Sequence, residues 1–135
     1  MKRLSIIFLM LFFMFAVLSC AAEPGSETAA RGEYKRISAE EAKEMIDNED
    51  VIVVDVRTEE EFEETRIEGA LLIPDYEIQE LAAEKLPDKD ATILIYCRTG
   101  RRSENASRAL LEMGYTNVYD FGGIVDWDYE TFSEE

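Results

Sequence analysis

Thr92–Ser103 reads TILIYCRTGRRS, an apolar run that leads directly into a cysteine and then into a short loop with three arginines. The run before the cysteine is made of β-branched and other apolar residues, which is typical of a strand buried on both faces. The segment after Ser103 has helical spacing and reaches Gly114, a residue type favoured just past a helix end. The stretch therefore predicts a strand, a tight loop around Cys97 and a helix.

Further strands and helices are predicted on both sides of this stretch. A second buried strand is predicted at residues 51–56, which read VIVVDV. The shorter predicted strands are residues 34–37, 71–73 and 118–121. The predicted helices are residues 38–47 and a short acidic one from Thr58, both opened by capping boxes, then 76–86 and 103–113. Gly122-Gly123 predicts a tight turn before one or two closing helical turns at 124–128. Strands that alternate with helices predict an α/β domain with a mostly parallel central sheet.

Composition limits the classes of function. At 135 residues the chain fits one domain of ordinary size. Acidic residues outnumber basic ones by 30 to 14, which argues against nucleic acid as a partner because binding to phosphates depends on Lys and Arg. The chain has no histidine, which excludes a Cys-His pair, a Ser-His-Asp triad and any histidine metal site. We predict no metal site.

The N-terminus predicts export. Residues 1–19 combine a basic start with an apolar run too short for an ordinary membrane span, which is the pattern of a signal peptide. The run ends in VLSC, which resembles the lipobox of bacterial lipoproteins and would leave Cys20 to carry lipid. Cleavage after Ala21 or Ala22 and an uncleaved anchor are the alternatives. Residues 20–33 lack periodicity and predict a flexible tether. We therefore expect a periplasmic or cell-envelope protein anchored by lipid.

Cys97 is the candidate nucleophile. A lone cysteine is often only a small buried hydrophobic residue. Here, however, three of the 14 basic residues follow within five positions, and a strand-loop-helix turn directs N–H groups and a helix N-terminus at the sulfur. Both features favour a thiolate and an anionic ligand.

Several motifs occur in the order known for one family. Residues 34–132 resemble a single rhodanese (sulfurtransferase) domain. The matching segments are VDVR at 54–57, EF at 61–62, IEGALLIP at 67–74, CRTGRRS at 97–103, GYTNVY at 114–119, GGI at 122–124 and Trp127. One departure is Arg66, where family members often carry His.

The resemblance implies a doubly wound α/β fold with helices on both faces of the sheet. It also implies a cysteine that alternates between thiolate and persulfide, and transfer of sulfane sulfur without a metal or organic cofactor. The donor would be a small sulfur-containing anion such as thiosulfate. The acceptor would be cyanide, a thiol or a protein.

The candidate site residues divide by role. Cys97 is the catalytic residue, and the loop that binds substrate and stabilises the thiolate comprises Arg98, Thr99, Gly100, Arg101 and Arg102. Ser103, Asp55 and Arg57 are expected to support the loop. Ser103 is also a candidate helix N-cap, Asp55 and Arg57 could form a plain structural ion pair, and Arg102 could point backward to brace the loop. The acidic run 59–64 is interpreted as a solvated face.

Two alternatives remain open. Cysteine phosphatases and arsenate reductases use Cys-x5-Arg loops, whereas Arg102 gives Cys-x4-Arg, a smaller ring that suits a single sulfur better than a tetrahedral oxyanion. The other alternative is a non-catalytic rhodanese-like module that carries a persulfide or binds a partner protein.

Overall fold

The computed structural model describes residues 32–133. The predicted signal peptide at 1–19, Cys20 and nearly all of the 20–33 tether lie outside these residues. Within the described range no helix is long and apolar enough to cross a membrane.

A five-stranded parallel sheet forms the centre of the domain. The strands are β1 (Lys35–Arg36), β2 (Ile52–Asp55), β3 (Leu71–Leu72), β4 (Thr92–Cys97) and β5 (Asn117–Gly123). Their order across the sheet is β1-β5-β4-β2-β3, and every neighbouring pair is parallel. The central strand β4 therefore delivers Cys97 at the carboxyl edge of the sheet, where open α/β sheets bind their ligands.

Helices cover both faces of the sheet, as predicted for a doubly wound fold. The helices are α1 (Ala39–Asn48), α2 (Glu59–Glu64), α3 (Ile78–Lys85) and α4 (Arg101–Glu112), with short 3₁₀ turns at Asp75–Glu77 and Ile124–Asp126. Ile93, Ile95 and Cys97 of β4 pack with residues of α3 and α4. Leu94 and Tyr96 point to the other face and pack with residues such as Ala42 of α1 and Trp127. The alternation along β4 explains why this strand is apolar throughout.

The capping boxes begin two helices where they were predicted. Ser38 accepts a hydrogen bond from the Glu41 N–H at 3.1 Å, and the Glu41 carboxylate accepts one from the Ser38 N–H at 2.8 Å. Thr58 and Glu61 form the same reciprocal pair at the start of α2. Both helix predictions are confirmed because these bonds are local and the sequence specifies them completely.

Two local predictions are wrong. The N-cap of α4 is Gly100 rather than Ser103: Gly100 has φ of 106°, the helix begins at Arg101, and Ser103 lies one turn inside it. Gly122-Gly123 is not a turn but the end of β5, where Gly122 has φ of 92° beside a register shift between β4 and β5. In both places a glycine with positive φ lets the backbone bend while hydrogen bonding continues.

Candidate active site

Cys97 lies at the bottom of the loop that joins β4 to α4. Its residue surface is 1% exposed. The Gly100 N–H donates to its sulfur at an N···Sγ distance of 3.0 Å, and the Ser103 Oγ lies 3.6 Å from the sulfur. The N-terminus of α4 therefore begins directly beside the sulfur, which is the arrangement that stabilises an anion.

The loop lowers the pKa of the Cys97 thiol. Burial acts in the opposite direction, because it disfavours the charged form. Hydrogen bonds from the Ser103 N–H and hydroxyl and from the N–H groups of Gly100 and Thr99 outweigh burial, so the pKa of Cys97 falls below its ordinary value. The thiolate is the reactive form, and the loop supplies it without a general base.

The Ser103 hydroxyl connects the sulfur to the cysteine loop and to β5. It is completely buried, and its Oγ lies 3.0 Å from the Gly100 carbonyl oxygen and 3.3 Å from the Gly122 carbonyl oxygen. When Cys97 is protonated, its S–H donates to Ser103 Oγ while the hydroxyl donates to a carbonyl. A hydroxyl in this position is also able to donate to the sulfur when Cys97 is a thiolate.

Arg102 braces the loop instead of facing the sulfur. Its two terminal nitrogens bond the Glu61 carboxylate of α2 at 2.7 and 2.8 Å, in the bidentate geometry that arginine makes with carboxylates. Glu61 is consequently not part of a merely solvated face, as the acidic run 59–64 had suggested. The Arg102 guanidinium lowers the pKa of Glu61 to about 2, and the pair raises the pKa of Arg102.

Arg98 and Arg101 are the exposed cations of the loop. Within residues 32–133 neither side chain forms a hydrogen bond or an ion pair, although both stand next to the cysteine loop. Thr99 is also exposed, and it contributes its N–H rather than its side chain. Two positive charges therefore remain available to an incoming anion.

Asp55 and Arg57 form a buried ion pair at the end of β2. Their side chains are 0% and 3% exposed, and Arg57 Nη2 lies 2.6 Å from Asp55 Oδ2. Arg57 also donates to the Thr65 carbonyl at 2.5 Å and lies over the ring of Tyr96. The structural ion pair is therefore present, and these contacts also fix the strand beside the cysteine strand.

A cleft of about 420 Å³ adjoins the loop. Arg57 and Arg98 line the cleft together with the carboxylates Glu61 and Glu64, and Val125 and Trp127 belong to its apolar part. The Val125 N–H lies 3.3 Å from the Arg98 carbonyl oxygen, so the wall of the cleft is attached to the cysteine loop. The cleft thus lies next to the cysteine loop and meets it at Arg98.

Sequence reasoning missed three residues at the loop. Glu61 was assigned to a helix cap, to a solvated acidic run and to a segment of the family resemblance, but not to an ion pair with Arg102. Asp120 is a fully buried carboxylate in β5, and a polar residue inside an otherwise apolar strand was the available signal. Arg36 bonds Asp120 at 3.0 Å from β1. Nothing in the local sequence distinguishes Arg36 from an ordinary surface arginine.

Comparison with known proteins identifies similar domains. Residues 38–130 match the model of the rhodanese-like domain. The thiosulfate sulfurtransferase PspE of Escherichia coli K12 is 42% identical over 73 residues, which cover 54% of this chain and 70% of the relative. A tRNA uridine(34) hydroxylase of Photorhabdus laumondii is 40% identical over 101 residues, which cover 71% of this chain but 28% of the relative. A solved structure, a rhodanese with anions from E. coli, is 36% identical with a TM-score of 0.60, covering 63% of this chain and 100% of that one.

Replacing Ser103 by Ala is expected to raise the pKa of Cys97. The substitution removes one hydrogen bond to the thiolate, so we expect a shift of about one pH unit in the midpoint of thiol alkylation. Ser107→Ala is the matched control, because Ser107 is also buried in α4 but its Oγ has no hydrogen-bond partner. The measurement is the rate of iodoacetamide alkylation against pH. If Ser103→Ala and Ser107→Ala have the same pH midpoint of alkylation, the Ser103 hydroxyl does not stabilise the thiolate.

Replacing Glu61 by Gln is expected to remove a pH-dependent part of the stability. The pKa of Glu61 in the folded protein is about 2, below the value of about 4.3 in an unfolded chain. Its contribution is therefore complete above the unfolded value and is lost as the pH falls towards 2. Partial exposure of both side chains limits the contribution to about 1 kcal/mol.

Urea unfolding of both proteins between pH 6 and pH 3 measures this effect. We expect the wild type to be the more stable at pH 6 and the difference to narrow as the pH falls. Glu63→Gln, an exposed position in the same helix, serves as the control. A constant difference at every pH would contradict the assignment.

Proposed function

Because the chain belongs to the rhodanese-like family, we propose that it moves sulfane sulfur from an anionic donor such as thiosulfate to a thiophilic acceptor through a persulfide on Cys97. The observation that carries the proposal is the hydrogen bond from the Gly100 N–H to the buried Cys97 sulfur at the N-terminus of α4. It provides a thiolate in a chain without histidine. The relative PspE, a thiosulfate sulfurtransferase, supports this assignment at the level of the family.

The first half-reaction loads the cysteine. The Cys97 thiolate attacks the outer sulfur of thiosulfate, and a new S–S bond forms at Cys97. The S–S bond of thiosulfate breaks, and sulfite leaves with its electron pair. The outer sulfur of the persulfide is then negatively charged, and N–H groups of the loop stabilise it as they stabilise the thiolate.

The second half-reaction unloads the cysteine. The acceptor nucleophile attacks the outer sulfur, the bond between the two sulfurs breaks, and its electron pair returns to Cys97 as thiolate. Cyanide would leave as thiocyanate, and a thiol would leave as a persulfide. The two steps together exchange one nucleophile for another at a sulfur atom, so no external oxidant or reductant is needed.

The size of the loop favours sulfur over phosphate as the bound group. Gly100, three residues after the cysteine, is the N-cap of α4, and Arg102 is held by Glu61. A phosphatase would need its loop arginine free to bind a tetrahedral oxyanion. Arg102 is instead used as a brace, which argues against phosphate ester hydrolysis.

We expect thiosulfate to add one sulfur atom to Cys97. Intact-mass measurement of the protein after incubation with thiosulfate should show this adduct, and added cyanide should remove it with release of thiocyanate. Cys97→Ser should show neither step. A wild-type protein that gains no sulfur would contradict both the enzyme and the persulfide carrier. An adduct that no small acceptor removes would favour the carrier, whose acceptor is a protein.

Arg98→Ala is expected to weaken donor binding. Arg98 carries an unused positive charge next to the cysteine loop, so its loss should raise the KM for thiosulfate about tenfold and lower kcat less. Arg108→Ala is the control, because Arg108 is exposed on α4 and pairs with Glu104. Steady-state thiocyanate formation measures both constants. An unchanged KM would exclude Arg98 as the donor contact.

We further propose that the protein is exported and anchored through lipid at Cys20. The support is the basic and apolar start of the chain followed by VLSC. Full-length protein made in a bacterial host should incorporate labelled palmitate and sediment with membranes, whereas Cys20→Ala should incorporate none. An unlabelled wild-type protein would refute lipidation.

A further inference from the structure

We propose that Arg36 is a positioning residue for the Cys97 thiolate, acting from the edge strand β1 through Gly100, Gly122 and Asp120. β1 is only two residues long, and Arg36 is paired in register with Asp120 of β5. The Arg36 Nη1 donates to Asp120 Oδ2 at 3.0 Å. The side chain is 47% exposed, so it lies between the buried carboxylate and solvent.

The Arg36 guanidinium lies on the two glycines that shape the loop. A methyl group built on Gly100 would come within 3.1 Å of Arg36 Nη2, and one built on Gly122 would collide with the same nitrogen. The guanidinium therefore occupies the space that a side chain would take at both positions. Gly100 and Gly122 both have positive φ, so they provide this space and the required backbone bends together.

The same two glycines are connected to the Cys97 sulfur, Gly100 directly and Gly122 through Ser103. The Gly100 N–H donates to Cys97 Sγ, and the carbonyl oxygens of Gly100 and Gly122 are the partners of the Ser103 hydroxyl. Asp120 Oδ1 accepts from the Gly122 N–H at 2.9 Å. Arg36, Asp120 and Gly122 thus form a continuous chain of contacts that ends at the groups bonded to the sulfur.

Charge gives Arg36 a second effect on the thiolate. Asp120 is completely buried, and its other side-chain donor is the Tyr34 hydroxyl at 2.7 Å. Without Arg36, Asp120 would be an unneutralised carboxylate in the strand next to Cys97, and a nearby negative charge disfavours a thiolate. Arg36 cancels that charge.

The other charged groups around the loop are unchanged when Arg36 is replaced. Asp55 pairs with Arg57 in β2, and Glu61 pairs with Arg102 between α2 and α4. Asp75 and Cys97 lie close enough to Arg102 to raise its pKa, and Glu64 lines the cleft beside Arg98. Arg98 and Arg101 add positive charge on the loop itself. Loss of Arg36 would therefore change the local balance in one direction, towards negative charge, and the pKa of Cys97 should rise.

The test is the pH dependence of Cys97 alkylation in Arg36→Met. We expect the midpoint to rise by about one pH unit relative to wild type, because both the neutralising charge and the contact with Gly100 are lost. Lys35→Met is the matched control: it removes the same charge from the adjacent position of the same strand, where the side chain lies over the Tyr119 ring. Arg36→Lys, which keeps the charge but not the planar fork, should have a midpoint between those of wild type and Arg36→Met.

Thermal unfolding of the same variants separates this role from a structural one. A purely structural Arg36 would lower the Tm without moving the alkylation midpoint, and that result would overturn the proposal. Equal midpoints in Arg36→Met and Lys35→Met would also overturn it. The readout requires no sulfur transfer, so it is independent of whether thiosulfate is a donor.

Discussion

The N–H of Gly100 on the sulfur of Cys97 is the interaction on which the site depends. For the chain to return to the sulfur within three residues, Gly100 must take a positive φ, and the helix α4 then begins at the next residue. The core residues of β4 and α4 hold the two ends of this loop in place. Because the chain has no histidine, this backbone geometry lowers the pKa of Cys97 without an imidazole.

Three ion pairs stabilise the loop from three directions. Arg36–Asp120 lies on the β5 side, Arg57–Asp55 on the β2 side, and Arg102–Glu61 joins α4 to α2. Each pair neutralises an acid near the cysteine, which reduces the negative charge around the site. Arginine has two uses here: the paired arginines fix the backbone, whereas Arg98 and Arg101 have no ion pair within residues 32–133, and Arg98 lines the cleft.

The strands, the capped helices and Cys97 were predictable from the sequence because each depends on neighbouring residues. Apolar runs identify β2 and β4, and capping boxes identify the starts of α1 and α2. The ion pairs Arg36–Asp120 and Glu61–Arg102 could not be predicted from the sequence. Their partners are separated by 84 and 41 positions, respectively. Such contacts depend on strand order and register. The predicted start of α4 and the predicted end of β5 were wrong for a related reason. The tight loop, and not the local sequence pattern, determines where these two elements begin and end.

Burial of the Cys97 sulfur also determines how long the thiol survives. A thiolate is the form that peroxides oxidise, so the bonds that make Cys97 reactive also make it vulnerable. With 1% of the residue exposed, only a small part of Cys97 is open to an oxidant. A ligand that bound over the loop would cover this part and would shield the thiolate from oxidation for as long as it stayed bound.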